Sequence, residues 1–235
     1  MNYLVTGCAG FIGYHVAVSI LKQDKQSKVI GIDNLNDYYS VKLKQKRIQL
    51  LKQSKRFNFL KINLIDKKKI IRVFNKHKID FVIHLAAQAG VRYSLINPES
   101  YYESNIVGFS NIIEISHANN VKKFIFASSS SVYGDKKRYP LNETEKIYPK
   151  NIYSASKKLN EDIASDVSKI SKMQMIGLRF FTIYGKWGRP DMLIFSFLKS
   201  AKEQKIYYLN DYGNHVRDFT HIDDVLIIIN KLIKK

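Results

Sequence analysis

The sequence predicts an α/β protein with a doubly wound parallel sheet followed by a second, smaller region at its C-terminal end. Three observations carry this reading. Short apolar runs alternate with helical patterns along most of the 235 residues. The runs show little polar alternation, as strands covered on both faces do. Gly7, Gly10 and Gly13, in MNYLVTGCAGFIG, form a tight turn between the first run and the first helical pattern.

The elements follow in order. Tyr3–Thr6 reads as the first strand and Ile12–Gln23 as the first helix. Lys28–Asp33 is the second strand. Ser40–Lys52 is the second helix, where KLKQKRIQLLKQSKR sets basic and apolar residues at helical spacing. Asn58–Ile62 and Lys67–Lys78 repeat the pair. Phe81–His84 precedes a long helix, Pro98–Ala118. Lys123–Ala127 leads into a run of four serines, then a helix over Ser154–Ser171 and a strand over Met175–Phe181. Past Tyr184 the pattern loosens. Gly185, Gly188 and Pro190 punctuate a loop, and short elements run on through His221. Ile222–Lys235 reads as a final helix whose packing partners are expected to be missing, with Val225, Leu226, Ile228 and Ile229 short of cover. Residues 1–185 form the expected first domain and 186–235 a second, smaller region.

Composition narrows the class. Hydrophobic content of 45% and charged content of 25% are globular values. No apolar run reaches the roughly 18 residues of a membrane span, so no membrane partner is expected. The first strand starts almost at Met1, which leaves no room for a removable signal. The single cysteine, Cys8, cannot form an internal disulfide, and a reducing cytoplasm is the expected compartment. Cys8 is either a small loop residue or, beside a helix N-terminus, a reactive thiol. The net charge of +19 invites a nucleic-acid reading. Lysines spread over many helix faces speak against it, and favour a protein that steers anions. No metal site is expected.

The glycine turn lets backbone N–H groups approach a pyrophosphate at a helix N-terminus. Asp33 ends the second strand 20 residues after Gly13. A carboxylate there can bind both ribose hydroxyls and repel a 2′-phosphate, so NAD is the expected cofactor. The alternative is that Asp33 caps a turn with Asn34. The whole reads as a Rossmann-type unit.

The chemical residues follow. Tyr153 and Lys157, in YSASK, share a helix face. A free tyrosine is a poor base at neutral pH. A nearby ammonium and a nicotinium charge are expected to favour its phenolate. Ser129 lies at the carboxyl edge of the sheet, where open α/β sheets form their sites. The run's other serines are open to a purely local capping role.

These stretches, with GIDNLNDYY, HLAAQAGVRYS, LRFFTIYGKWGRPDM and RDFTHIDD, resemble the extended short-chain dehydrogenases/reductases of the nucleotide-sugar epimerase/dehydratase kind. Within these they resemble the UDP-glucuronate 4-epimerases, from Met1 to about Asp224. The resemblance implies that Ser129 holds the sugar 4-hydroxyl, Tyr153 is the base, and Lys157 holds the nicotinamide ribose. It implies that Phe11, Ile12, Asn34, Leu64, Ala86, Ala87 and Asn105 line the cofactor. Asn63 stands where the family often has Asp, and its amide oxygen can still meet the adenine amine. Thr182 and Arg189 match positions around the sugar carboxylate, and a planar guanidinium suits a carboxylate. Arg92 and Ser130 join the substrate site, and Arg217 is implied to meet the UDP diphosphate. Arg189 as a solvated charge and Arg217 paired with Asp218 are the alternatives.

The expected activity is NAD-dependent 4-epimerisation of a UDP-sugar, UDP-glucuronate to UDP-galacturonate, through a 4-keto intermediate. Ser130 and Ser131 stand where similar 4,6-dehydratases have Asp-Glu, and where glucuronate decarboxylases have Glu at the second position. Neither reading is favoured. A UDP-glucose or UDP-N-acetylhexosamine 4-epimerase stays open. So does a truncated, NAD-binding protein without turnover: family members are longer, and the resemblance implies that residues 1–185 are the NAD-binding domain and 186–235 a partial substrate-binding region, an incomplete substrate lobe. A homodimer is one assembly the reading admits.

Overall fold

The computed structural model describes residues 1–136, 138–214 and 216–234. Lys235, the last residue of the expected final helix, lies outside them. Six strands form one parallel sheet: β1 (Asn2–Thr6), β2 (Lys28–Asp33), β3 (Phe57–Lys61), β4 (Phe81–His84), β5 (Lys123–Ser129) and β6 (Gln174–Phe180), in the order β3-β2-β1-β4-β5-β6. The order reverses between β1 and β4, which opens a crevice at the carboxyl ends of those strands.

Period-two alternation sends each strand's apolar residues to both faces. Val5, Val29, Ile83 and Ile125 face helices α1 (Phe11–Gln23) and α2 (Val41–Leu51). Leu4, Ile30, Val82 and Phe124 face α3 (Lys67–Lys76) and, further along the chain, a long helical segment. That segment follows the short helix α4 (Tyr93–Ile96). It begins as α5 (Glu99–Tyr101), widens into a π-helical stretch over Tyr102–Val107, and continues as α6 (Gly108–Ala118). The π-helical stretch carries Asn105. Helix α7 (Ile152–Ile170) covers the same face. The doubly wound class expected from the sequence is the architecture observed.

Beyond the sheet the chain forms a two-stranded parallel pair, β7 (Thr182–Tyr184) and β8 (Phe219–His221). Between them α8 (Leu193–Lys202) buries none of its residues. The final helix, α9 (Ile222–Lys234), corrects the expected lack of cover. It packs on α1, burying Ile222, Val225 and Ile229 in the core. Ile228 faces outward, half exposed. No helix among the described residues is long and apolar enough to cross a membrane.

Candidate active site

The glycine turn is built by close approach. Gly7 has φ +70°, and a Cβ there would lie 2.7 Å from the Ala86 nitrogen. A Cβ on Gly13 would lie 2.1 Å from the Gly7 carbonyl oxygen. Only glycine lets α1 start this close to the strand ends. Gly10 caps α1 without a side chain, so the first N–H groups of the helix open towards solvent and towards an anion. This cradle, free of Cβ atoms, fits a dinucleotide pyrophosphate.

The cradle opens into a cavity of about 690 Å³ along the strand ends. Gly7, Gly10, Phe11, Ile12, Gly13, Asp33, Asn34, Asn63, Leu64, Ala86 and Ala87 line one part. Ser129, Ser130, Tyr153, Lys157, Thr182, Arg189 and, at the mouth, Arg92 line the rest.

Asp33 does cap its turn. Its Oδ1 accepts from Leu35 N at 2.8 Å and its Oδ2 from Ala9 N at 3.1 Å. A carboxylate has about four lone-pair sites, so acceptor capacity remains for a ribose. Burial raises the Asp33 pKa, against the lowering effect of the Leu35 hydrogen bond and the Lys44 charge. Cys8 is fully buried, and burial pushes its thiol up. That favours the small-loop-residue reading over a reactive thiol.

Asn105 does not line the cavity. Its amide brackets the Gln88 main chain, accepting from Gln88 N at 2.8 Å and donating to Gln88 O at 3.0 Å. It also donates to Ser156 Oγ at 3.0 Å. Its position one layer behind the surface fixes the loop that follows β4. Arg217 also stands outside the cavity, exposed, with Nη1 donating to the Val216 carbonyl. It sits in a segment with few buried residues, so nothing draws it to the sheet edge.

Asn151 caps α7 reciprocally with Ser154, which places Tyr153 in the first turn and Lys157 one turn later. Lys157 is 2% exposed, and its Nζ donates to the Ala127 carbonyl at 2.8 Å. Burial lowers its pKa to about 8. Behind it His84 is fully buried against Thr6 Oγ1, at 3.0 Å from Nδ1. Burial, then the Lys157 charge, lowers His84 to about 3.

Tyr153 departs from expectation. Burial pushes its phenol up, and this outweighs the lowering by Ser129 hydrogen bonding and the Arg189 charge. The ammonium of Lys157 is directed at Ala127 rather than at the phenol. Among the protein groups the net direction at Tyr153 is upward, with Ser129 and Arg189 as the lowering influences. Ser129 Oγ accepts from Ser131 N at 3.2 Å and from Ser131 Oγ at 2.8 Å, so the serine run holds its own loop as well.

Arg189 is not a solvated charge. Nε and Nη2 grip the Asp191 carboxylate, and the guanidinium lies 5.4 Å over the Tyr38 ring. Tyr38 donates to the same carboxylate at 3.3 Å. Tyr38 and Asp191 were not singled out in the sequence, although both stand inside quoted stretches, NDYY and GRPDM. Behind the serines, Glu161 accepts from Ser128 Oγ and from Arg179 in a two-pronged pair.

Comparison with known proteins agrees with this geometry. A model of the NAD dependent epimerase/dehydratase family matches residues 3–235. Protein CapI of Staphylococcus aureus is 45% identical over 236 residues, which span all of this chain and 70% of that protein. UDP-glucuronate 4-epimerase 4 of Arabidopsis thaliana is 43% identical over 96% of this chain and 52% of its own length. The crystal structure of a Bacillus cereus UDP-glucuronic acid 4-epimerase, in complex with UDP-glucuronic acid and NAD, superposes with a TM-score of 0.92 at 33% identity. It covers all of this chain and 74% of that one. The chain belongs to the NAD dependent epimerase/dehydratase family.

Proposed function

We propose that this protein interconverts UDP-glucuronate and UDP-galacturonate by NAD-dependent 4-epimerisation. One observation carries the reading. A glycine cradle for a dinucleotide, a serine–tyrosine–lysine set and an arginine suited to a carboxylate open into a single cavity. Similarity to UDP-glucuronate 4-epimerases of Arabidopsis thaliana supports the choice of sugar.

NAD, when bound, supplies reversible hydride acceptance. The residues of the chain do the rest. Asp33 orients the adenine-side ribose, and Asn63 and Leu64 edge the adenine. Ala86 and Ala87 line the cofactor's path. Lys157 holds the nicotinamide ribose. Ser129 hydrogen-bonds the sugar 4-hydroxyl, and Tyr153 takes its proton and later returns it. Burial raises the phenol, and positive charge brought into the cavity would favour its phenolate. Thr182 and Arg189 hold the carboxylate, which restrains loss of CO₂ from the β-keto acid formed at C4. Residues 1–185 carry the dinucleotide and 186–235 part of the sugar site. A cytoplasmic location and a homodimer complete the proposal, and sedimentation of a one-chain species only would remove the dimer.

The test is incubation of purified protein with UDP-glucuronate, with products separated by anion exchange and identified by proton NMR. Appearance of UDP-galacturonate is expected, and no conversion at any NAD concentration overturns the reading. A second reading has its own observation. Asp191 already answers the Arg189 charge, which favours a neutral sugar such as UDP-glucose. Faster conversion of UDP-glucose in the same assay would select it. If the acid sugar is the substrate, Asp191→Asn should tighten UDP-glucuronate binding about three- to tenfold by removing a like charge.

A further inference from the structure

Arg47 is a buried charge that the proposed chemistry does not use. It lies on α2 and is fully buried. Nη1 donates to the Ala9 carbonyl and to the Tyr39 hydroxyl, each at 2.8 Å. Nη2 donates to the carbonyls of Trp187 at 2.5 Å and Gly188 at 3.2 Å. Nε has no partner among the described residues. Among the described residues no carboxylate is in salt-bridge contact with the guanidinium, and Asp33 is the acid whose charge it feels. Burying a charge with no direct counter-ion contact is costly, and an apolar side chain would fill the same space more cheaply.

The two arms reach different parts of the site. Ala9 lies inside the glycine turn, and its N–H is held by Asp33, the proposed ribose ligand. Trp187 and Gly188 immediately precede Arg189. Trp187 has φ +59°, a conformation that bulky residues rarely adopt without outside support. Arg47 supplies that support from the nucleotide side. A second contact to this loop, His15 Nε2 to the Lys186 carbonyl at 2.8 Å, leaves from α1, where the ring packs edge-on against Phe11, and a phenylalanine at this position keeps that packing while losing the hydrogen bond.

We propose that Arg47 is a positioning residue that couples the dinucleotide turn to the Arg189 loop, so that NAD binding prepares the loop to receive the sugar acid. The proposal rests on the cofactor and substrate reading above. A ligand that engages Asp33 acts on Ala9, and a shift of Ala9 is passed by the planar fork to the peptides before Arg189. Coupling is reciprocal, so the sugar nucleotide tightens NAD by the same factor.

Trp187 is the single tryptophan of the chain, so its emission reports this loop directly. The experiment follows Trp187 emission as NAD is added to cofactor-free protein, and then measures UDP-glucuronate affinity with and without saturating NAD. In the unmodified protein NAD should change the emission and tighten UDP-glucuronate about tenfold. Arg47→Lys keeps the charge but cannot bridge both loops. It should bind NAD within about threefold by calorimetry, lose the emission change and lose the tenfold effect. His15→Phe should keep both. An emission change in Arg47→Lys equal to that of the unmodified protein overturns the proposal, as does none in the unmodified protein. If Arg47→Lys does not fold, Arg47→Gln is measured in its place, and failure of both assigns Arg47 to stability alone and overturns the coupling. If UDP-glucuronate does not bind at all, the substrate reading fails, while the response of Trp187 to NAD still decides the role of Arg47.

Discussion

Lys157 donates from Nζ to the Ala127 carbonyl at 2.8 Å, which pins the second turn of α7 to the carboxyl end of β5. The bond leaves the ammonium buried without a counter-ion, and this has a measurable pH signature.

Burial lowers Lys157 from its ordinary 10.5 to about 8. Between those values the unfolded chain binds more protons than the folded one, so stability rises with pH. The contribution is fully present above 10.5 and is lost as pH falls through 8. Its size is on the order of 3 kcal/mol. Urea unfolding of the unmodified protein and of Lys157→Met, from pH 7.5 to 10, should show the difference shifting in favour of the unmodified protein. A difference that does not change with pH would contradict the buried, lowered ammonium.

His84 gives the acid-side counterpart. Its lowered value of about 3 means that the folded state excludes a proton which the unfolded chain takes up below 6.5. The stabilisation is complete above 6.5 and fades as pH falls towards 3, by at most about 5 kcal/mol. His84→Asn should flatten the fall in the urea midpoint between pH 6.5 and 4. An identical profile in both proteins would assign the acid sensitivity elsewhere.

Tyr153→Phe removes only a phenol oxygen buried in the lining of a preformed cavity. Conversion of UDP-glucuronate should fall roughly 10²- to 10⁴-fold, while NAD affinity changes little. Near-normal conversion would exclude Tyr153 as the proton carrier.

Asp33→Asn keeps an acceptor for Leu35 N and loses the charge facing a 2′-phosphate. The preference for NAD over NADP should narrow, chiefly through tighter NADP binding, as read by calorimetry with each cofactor. Equal affinities in the unmodified protein would remove Asp33 as the discriminator.

Most of the sheet was legible because its signals are local. Six apolar runs, the glycine spacing and the four-residue step from Tyr153 to Lys157 each lie within one element or one turn. Arg47 was not legible. Its partners lie 38 and 140 residues away, and nothing in KLKQKRIQLL separates it from the lysines around it. The cover on Val225 and Ile229 was missed for a similar reason, since the sequence does not reveal that one side of α1 is free to receive α9. The three-residue strands β7 and β8 are too short to carry a period. Asn105 was found by resemblance, but its place one layer behind the cavity depends on the π-helical stretch, which no residue pattern announces.

The β7–β8 pair also defines a module. The chain departs after Tyr184 and returns at Phe219 on the strand beside it, with Thr182 N donating to the Asp218 carbonyl at 3.3 Å. Both ends of the excursion over 185–218 are therefore anchored side by side, its first residues are held to the body by Arg47 and His15, and α9 then packs on α1. Each doubling of such a loop costs only about 0.6 kcal/mol. Natural variation can therefore rewrite the excursion beyond those first residues, in length and in chemistry, while the dinucleotide body keeps its fold. Exchange of 190–218 between relatives becomes a route to new sugar preferences on one unchanged redox platform.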